Sequence, residues 1–306
     1  MKSTLALSLM LCLACSKKQD KPPAPSPEPV TDKVPEPAKA AYTPEAGKQA
    51  IAQLAACTSQ YSCAAFDTVV GFGQPAVADL TAFVSDDTRP IDARRVAAIA
   101  LGKLKAAAAG PKLVELGIAS KDVTAQSDFL TAAGECGGDA TFAAATAQYD
   151  KENHGDDNEH LVPLRYAIKA FPKQAMAWAT EKFPKAKDQA KYADVITDVA
   201  GPSDTAALVA LVGASKDVMV DDRLASKAIE LGATDGKLWD VFARALASDS
   251  PYDHGDAGNF LAPIASKAPA DKKAKLLELV KKALASDPKD SLVEDGLVKC
   301  VPALGG

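Results

Sequence analysis

The stretch DARRVAAIALG at residues 92–102 decides the fold, because a stretch of the same pattern, DRLASKAIELG, occupies residues 222–232. In both, an Asp begins a run of small and apolar residues rich in alanine, the best helix former, and a Gly ends it. Glycines that end such runs stand at residues 71, 102, 134, 201 and 232. Their intervals of 31, 32, 67 and 31 residues predict an internal repeat of about 32 residues.

The long interval implies one junction without glycine, near residue 168, where IKAFP at 168–172 ends a helix with proline instead. Two more junctions fit KAP at 267–269 and KCVP at 299–302. The other end of each unit repeats as well, since the tetrads ASKD, ASKD, ASDS and ASDP begin at residues 119, 214, 247 and 285. A unit therefore consists of a helix, a Gly or Pro turn, a second helix and a polar loop.

The second helices carry an apolar stripe at helical spacing, clearest in Leu238, Val241, Phe242, Ala245 and Leu246. Residues 92–102 and 222–232 resemble the first helix of a HEAT-type repeat. That resemblance covers about residues 43–306 and implies an all-α solenoid of about seven to eight helical hairpins, in which each pair buries its stripe against its neighbours. A non-repetitive helical bundle is the alternative.

Composition agrees with an all-α class and argues against one class of partner, nucleic acids. Hydrophobic residues make up 47% of the 306 residues but aromatics only 6%, and alanine dominates. The formal charge is -5, with both signs mixed along the chain. Since no basic stripe with interleaved aromatics occurs, nucleic acid is not an expected partner.

The N-terminus has the pattern of an export signal. Lys2 precedes an apolar run of ten residues, which as a helix would rise about 15 Å, half of a bilayer core of ~30 Å. The run ends at Leu13, Ala14 and Cys15, which resembles the lipobox of bacterial lipoproteins, although Cys12 stands where that family usually has Leu. The resemblance implies that Cys15 is lipidated and becomes the mature N-terminus.

We therefore expect three regions: a signal peptide at 1–14, a lipidated Cys with a Pro-rich tether at 15–42, and the solenoid at 43–306. Proline at the density found after Ser16 favours extended backbone, and the stretch lacks the apolar residues needed for a core. It could also be a ligand for partner domains. Because Ser16 and not Asp follows the cysteine, the resemblance implies a lipid-anchored protein of the cell envelope, sorted to the outer membrane.

The segment GFGQPA at 71–76 matches the dinucleotide fingerprint G-x-G-x-x-A. That motif requires a preceding strand and a βαβ unit, and no strand pattern follows here. Gly71 also shares the repeat register of Gly102. We interpret the segment as a turn between helices and expect no cofactor.

Four cysteines follow Cys15. Cys57 and Cys63 bracket five residues in the turn of the first hairpin, a spacing that allows a disulfide in an exported chain. Half of a metal site is the alternative, but no Cys or His lies near enough in sequence to complete it. Cys136 and Cys300 both end first helices, five repeats and ~50 Å apart, so we expect them to be reduced and buried.

The three histidines lie in two segments that we expect to be long inter-repeat loops, at 150–160 and 250–258. His-Gly-Asp occurs twice, 100 residues apart, and the candidate binding residues are His154, Asp156, His160, His254 and Asp256. The loops are three repeats apart, roughly 30 Å, so they cannot share one ion. We interpret them as polar loops on one edge of the solenoid and expect no metal site.

These patterns predict a membrane-anchored scaffold that binds an unidentified envelope protein and is not an enzyme. The chain presents long repeat surfaces and no motif that pairs a nucleophile with a His base. The alternative is a metal- or small-ligand-binding lipoprotein that uses the His-Gly-Asp loops.

Overall fold

The computed structural model of the chain describes residues 42–152, 160–286 and 291–306. These residues form sixteen α-helices and six short 3-10 helices, and no strand occurs among them. The described residues all belong to one compact unit. The all-α prediction is confirmed; the predicted signal peptide, Cys15 and nearly all of the tether lie outside the described residues.

The helices alternate between two sets along the chain. The odd-numbered helices are α1 (Pro44–Leu54), α3 (Val77–Ser85), α5 (Gly110–Ala119), α7 (Asp139–Tyr149), α9 (Pro172–Lys182), α11 (Thr205–Leu211), α13 (Lys237–Ala245) and α15 (Ala270–Ser286). The even-numbered helices are α2 (Ala64–Phe72), α4 (Ile91–Lys103), α6 (Val123–Cys136), α8 (Leu161–Lys169), α10 (Gln189–Val199), α12 (Val218–Glu230), α14 (Pro251–Leu261) and α16 (Ser291–Ala303).

Stacking of the even-numbered helices makes this fold a solenoid. Each of them packs against the next, from α2 on α4 through to α14 on α16. Every odd-numbered helix packs against the even-numbered helix that follows it, so the chain forms eight helical pairs. Contacts in this pattern join neighbours along one axis, which is the arrangement of helical-repeat proteins. The prediction of seven to eight hairpins is confirmed.

The polar tetrads at 119–122, 214–217 and 247–250 mark where even-numbered helices begin, for a reason seen in their hydrogen bonds. Asp122 accepts a hydrogen bond from the backbone N–H of Ala125 at the start of α6, at 2.8 Å. Asp217 accepts one from Met219 at the start of α12, at 3.0 Å. An Asp before the first helical residue satisfies a backbone donor that the helix leaves open.

The glycines that mark the repeat have two different roles. Gly232 follows α12 with a φ of +102°, a conformation that side-chain-bearing residues rarely adopt. Gly134 instead lies inside α6, where an added Cβ would stand 3.1 Å from the backbone of Ala167 in α8. It allows two helices of the stack to approach closely. The expectation that Gly134 ends a helix is therefore wrong by a few residues, since α6 ends at Cys136 and Gly137 follows with a φ of +77°.

The predicted apolar stripe of α13 and its C-terminal neighbour Leu246 is buried along its whole length. The largest fully buried side chains are Phe129, Tyr149, Phe183, Trp239 and Phe242, and alanines fill much of the remaining core. Small side chains bring helix axes close, which explains how a chain with few aromatics fills its interior. None of the helices in the described ranges combines the length and the hydropathy needed to cross a membrane.

Candidate functional site

The cysteines lie where their spacing led us to expect them. Cys57 and Cys63 form a disulfide between α1 and α2, with Cα atoms 5.4 Å apart. Cys136 and Cys300 are free and buried. Burial raises the pKa of the Cys136 thiol to about 11 and that of Cys300 to about 12, so both remain protonated and unreactive at neutral pH.

The second His-Gly-Asp segment is not a loop, which corrects the prediction for residues 250–258. It lies in α14, which begins at Pro251 because Ser250 accepts a hydrogen bond from the N–H of Asp253 at 3.3 Å. His254 is buried, and its Nε2 lies 2.9 Å from the carbonyl oxygen of Ser248. Asp256 is partly buried in the same helix.

The first His-Gly-Asp segment, with His154 and Asp156, lies outside the described residues. His160 directly precedes α8, and its Nδ1 is 3.8 Å from a carboxylate oxygen of Glu152. Across the described ranges, no three His, Cys, Asp or Glu side chains converge so that they could hold a metal ion.

A charged groove that was not among the predicted sites crosses four successive even-numbered helices. The groove has a volume of about 410 Å³. Its lining comes from α8, α10, α12 and α14: Arg165, Asp194, Thr197, Asp198, Arg223, Ser226, Lys227, Glu230 and Phe260.

Two arginines in the groove share one carboxylate. Arg165 of α8 donates a hydrogen bond to Asp194 Oδ2, and Arg223 of α12 forms an ion pair with Asp194 Oδ1. Arg165 Nε also lies 3.3 Å from Asp198 Oδ2, one helical turn after Asp194. One carboxylate of α10 thus joins the helices on both sides of it.

Arg223 is a partly buried cation that packs against an aromatic ring of the groove. Its guanidinium carbon lies 5.5 Å from the centre of the Phe260 ring, within the range of a cation–π contact. Burial, and then the nearby charge of Arg165, lower the pKa of Arg223, whereas Asp256 raises it. The guanidinium therefore remains charged but loses solvation, so a further anion at this position would stabilise it.

The outer part of the groove carries a weaker ion pair. Lys227 Nζ lies 3.3 Å from a carboxylate oxygen of Glu230, and the Glu230 side chain is 60% exposed. An ion pair with so exposed a carboxylate stabilises a fold by only about 0–1 kcal/mol, so Glu230 can turn to a ligand at little cost.

Beside the groove, Asp222 is fully buried, and neither carboxylate oxygen has a hydrogen-bond partner in the described part of the chain. Burial, and then the charges of Asp221, Asp256 and Asp253, raise its pKa to about 8, and Arg244 opposes them. At neutral pH this side chain is mostly a neutral carboxylic acid.

Lys191 of α10 is a second buried ionisable group. Its ammonium donates hydrogen bonds to the carbonyl oxygens of Tyr149, Asp150 and Glu152, at 3.1, 3.3 and 2.6 Å. It also lies 5.2 Å from the centre of the Tyr192 ring. Burial lowers the pKa of this lysine. The contacts hold the chain that leaves α7 against α10.

One signal in the sequence pointed to the groove. Arg165 and Asp194 are 29 residues apart, and Arg223 follows Asp194 at the same interval. Charges of alternating sign at close to one repeat length stand side by side on stacked helices. The pattern is weak because Arg165 lies in the part of the chain where the repeat is least regular.

Comparison with known proteins supplies one structural neighbour. No protein-family model matches the chain, and no curated protein is similar to it. Among solved structures, human deoxyhypusine hydroxylase in complex with glycerol is similar at 16% identity and a TM-score of 0.34, over 85% of this chain and 96% of that chain.

This neighbour is an enzyme, and the finding contradicts two of our predictions, the non-catalytic scaffold and the absence of enzymatic activity. Both are withdrawn. The physical basis of those predictions was the absence of a nucleophile–base motif along the sequence, which does not register side chains that stacking brings together. A TM-score of 0.34 transfers no residue role or reaction from the hydroxylase to this chain.

Proposed function

We propose that this chain is an exported lipoprotein of the cell envelope, anchored through a lipid on Cys15 and sorted to the outer membrane. The apolar run that ends in Leu13, Ala14 and Cys15 supports the lipid, and Ser16 supports the sorting. The Pro-rich tether would hold the helical-repeat domain away from the bilayer.

We also propose that the domain binds a small ligand with charged groups in the groove between α8 and α14. The observation that carries this proposal is the pair of arginines that share Asp194 in an open cavity of about 410 Å³. Arginine binds anionic groups bidentately through its fork of N–H donors. The Arg223 guanidinium is partly desolvated beside the Phe260 ring. It shares the Asp194 carboxylate with Arg165 and pairs with one oxygen of it, which leaves some of its five N–H donors available to a ligand.

Small molecules that co-purify with the full chain test this proposal. Native mass spectrometry of the wild type should show a bound species, and Arg223→Met should lose it while remaining folded. Lys272→Met is the matched control, because Lys272 of α15 forms an inter-helix ion pair with Asp240 of α13 at 2.7 Å, outside the groove. Equal retention in both variants, or a wild type that carries and accepts no small molecule, would show that the groove is only structural.

A further inference from the structure

We infer that the ligand of the groove is an amino-acid-type zwitterion, with a carboxylate and an ammonium attached to the same carbon atom. This inference rests on the proposed function and specifies its ligand class. It comes from how the groove arranges its six charged side chains. Three are cations, Arg165, Arg223 and Lys227, and three are anions, Asp194, Asp198 and Glu230.

Opposite charges face the groove as adjacent pairs and not as separate patches. Lys227 and Glu230 are 3.3 Å apart, and Arg165 Nε is 3.3 Å from Asp198. A ligand with a single charge would therefore be repelled by a like charge at every position where an opposite charge attracts it. An α-amino acid carries an ammonium and a carboxylate on the same carbon atom, so its two opposite charges match such a pair on both sides.

The ligand carboxylate would lie against Arg223 and Lys227. These residues are four apart in α12, so they project from the same face of the helix. An anion would stabilise Arg223 in particular, because burial lowers the pKa of its guanidinium and its partner Asp194 also accepts a hydrogen bond from Arg165. A phosphate is less suitable than a carboxylate, because its second negative charge would lie near Asp198 and Glu230.

The ligand ammonium would lie against Asp198 and Glu230. Their side chains are 36% and 60% exposed, so each can turn from its present partner toward the ligand. Ammonium and carboxylate would together take over the Lys227–Glu230 pair and the Asp198 side of its contact with Arg165, which keeps its hydrogen bond to Asp194. The exchange keeps every charge of the groove paired.

The experiment uses the purified full chain and the twenty proteinogenic amino acids, each at about 10 mM, with the midpoint of thermal unfolding as the first readout. The amino acid with the largest positive shift is then titrated calorimetrically beside three relatives. They are its N-acetyl form, which keeps only the carboxylate, its amide, which keeps only the ammonium, and its homodipeptide, which separates the two charges.

We expect the free amino acid to bind at least tenfold more tightly than its N-acetyl and amide forms. Asp198→Asn and Arg223→Met should each weaken it tenfold or more, and the matched variants Asp240→Asn and Lys272→Met should not. Preference for the dipeptide would identify peptides and not free amino acids as the source of the zwitterion. Equal binding of the N-acetyl or amide form would overturn the inference but leave the groove a ligand site. If none of the twenty amino acids shifts the unfolding midpoint, the inference is overturned as well. The proposed function is tested separately, by whether Arg223→Met loses a co-purified species.

Discussion

Asp92 and Asp222 occupy the same position of the repeat but have very different surroundings. Both begin the repeated stretch, but Asp92 accepts a hydrogen bond from Arg95 at 2.9 Å and is partly exposed, whereas Asp222 is fully buried without a partner in the described residues. The pKa of Asp222 is therefore raised from 3.8 to about 8 in the folded state. A folded state that binds the extra proton loses stability as pH rises from about 4 to about 8.

We expect Asp222→Asn to stabilise the protein at pH 7 by on the order of 1–3 kcal/mol, because the neutral amide removes the proton linkage but leaves polar atoms unpaired. The gain should shrink toward pH 4 and reach its full size above pH 8. Urea unfolding from pH 5 to pH 9 measures it, with Asp92→Asn as the control that shows little pH dependence. Destabilisation at every pH would mean that the carboxyl has an essential partner.

Among the elements, the C-terminus of α7 depends on a side chain from another helix. The last carbonyl oxygens of a helix have no partner within it, and Lys191 of α10 supplies a donor for Tyr149 and, just beyond the helix, for Asp150 and Glu152. A cation at this end also complements the helix dipole. Lysine at this position looks like a solvent-exposed residue in the sequence, which is why the sequence analysis did not single it out.

Lys191→Met should destabilise the protein by about 2–4 kcal/mol, because buried carbonyl oxygens lose their donor. Amide hydrogen exchange should accelerate most in the last turn of α7. Lys169→Met is the control, since Lys169 is exposed and lies over the Tyr166 ring; it should change stability by less than about 0.5 kcal/mol. Similar effects of both substitutions would exclude a capping role for Lys191.

The glycines that mark the repeat lead to a second prediction about the helices. Gly134→Ala should destabilise the protein by about 1–3 kcal/mol, because the new Cβ meets the backbone of α8 at 3.1 Å. Gly71→Ala in α2 should instead stabilise it by up to about 1 kcal/mol, since nothing lies within 4 Å of its Cβ position and alanine is the better helix former. Thermal unfolding of the pair decides between close packing and helix termination as the reason for Gly134.

At the scale of the whole molecule, the sequence predicts the repeat well and the site poorly. Spacing of glycines and polar tetrads was sufficient for the helices and their repeat length, because turn chemistry and apolar periodicity are local properties. It did not give the pairing, since the predicted unit joins α4 to α5 across a glycine turn and the structure packs α5 on α6 across a polar loop. The joining of Arg165, Asp194 and Arg223 depends on how three helices stack, which one stretch of sequence does not encode. The segment at 250–258 was predicted to be a loop although its helix start is local, since Ser250 caps α14 and Pro251 is its first residue.

Cys15→Ala should move the protein from the membrane fraction to the soluble fraction of a cell that processes lipoproteins, because the variant lacks the residue that would carry the proposed lipid anchor. Mass spectrometry of the wild-type N-terminus should show a diacylglyceryl cysteine. A mature wild-type chain that begins at another residue, or a Cys15→Ala variant that still sediments with membranes, would contradict lipidation.

The stacking of α2 to α16, each helix against its neighbours, also affects how the molecule unfolds. In such an array the end units can melt while the middle remains folded, so unfolding need not be a single all-or-none transition. The groove requires α8, α10, α12 and α14 to be folded at the same time. A bound ligand would therefore couple the unfolding of the helices in the middle of the array. With the ligand bound, these four helices should melt as one cooperative unit, and local unfolding should be confined to the two ends.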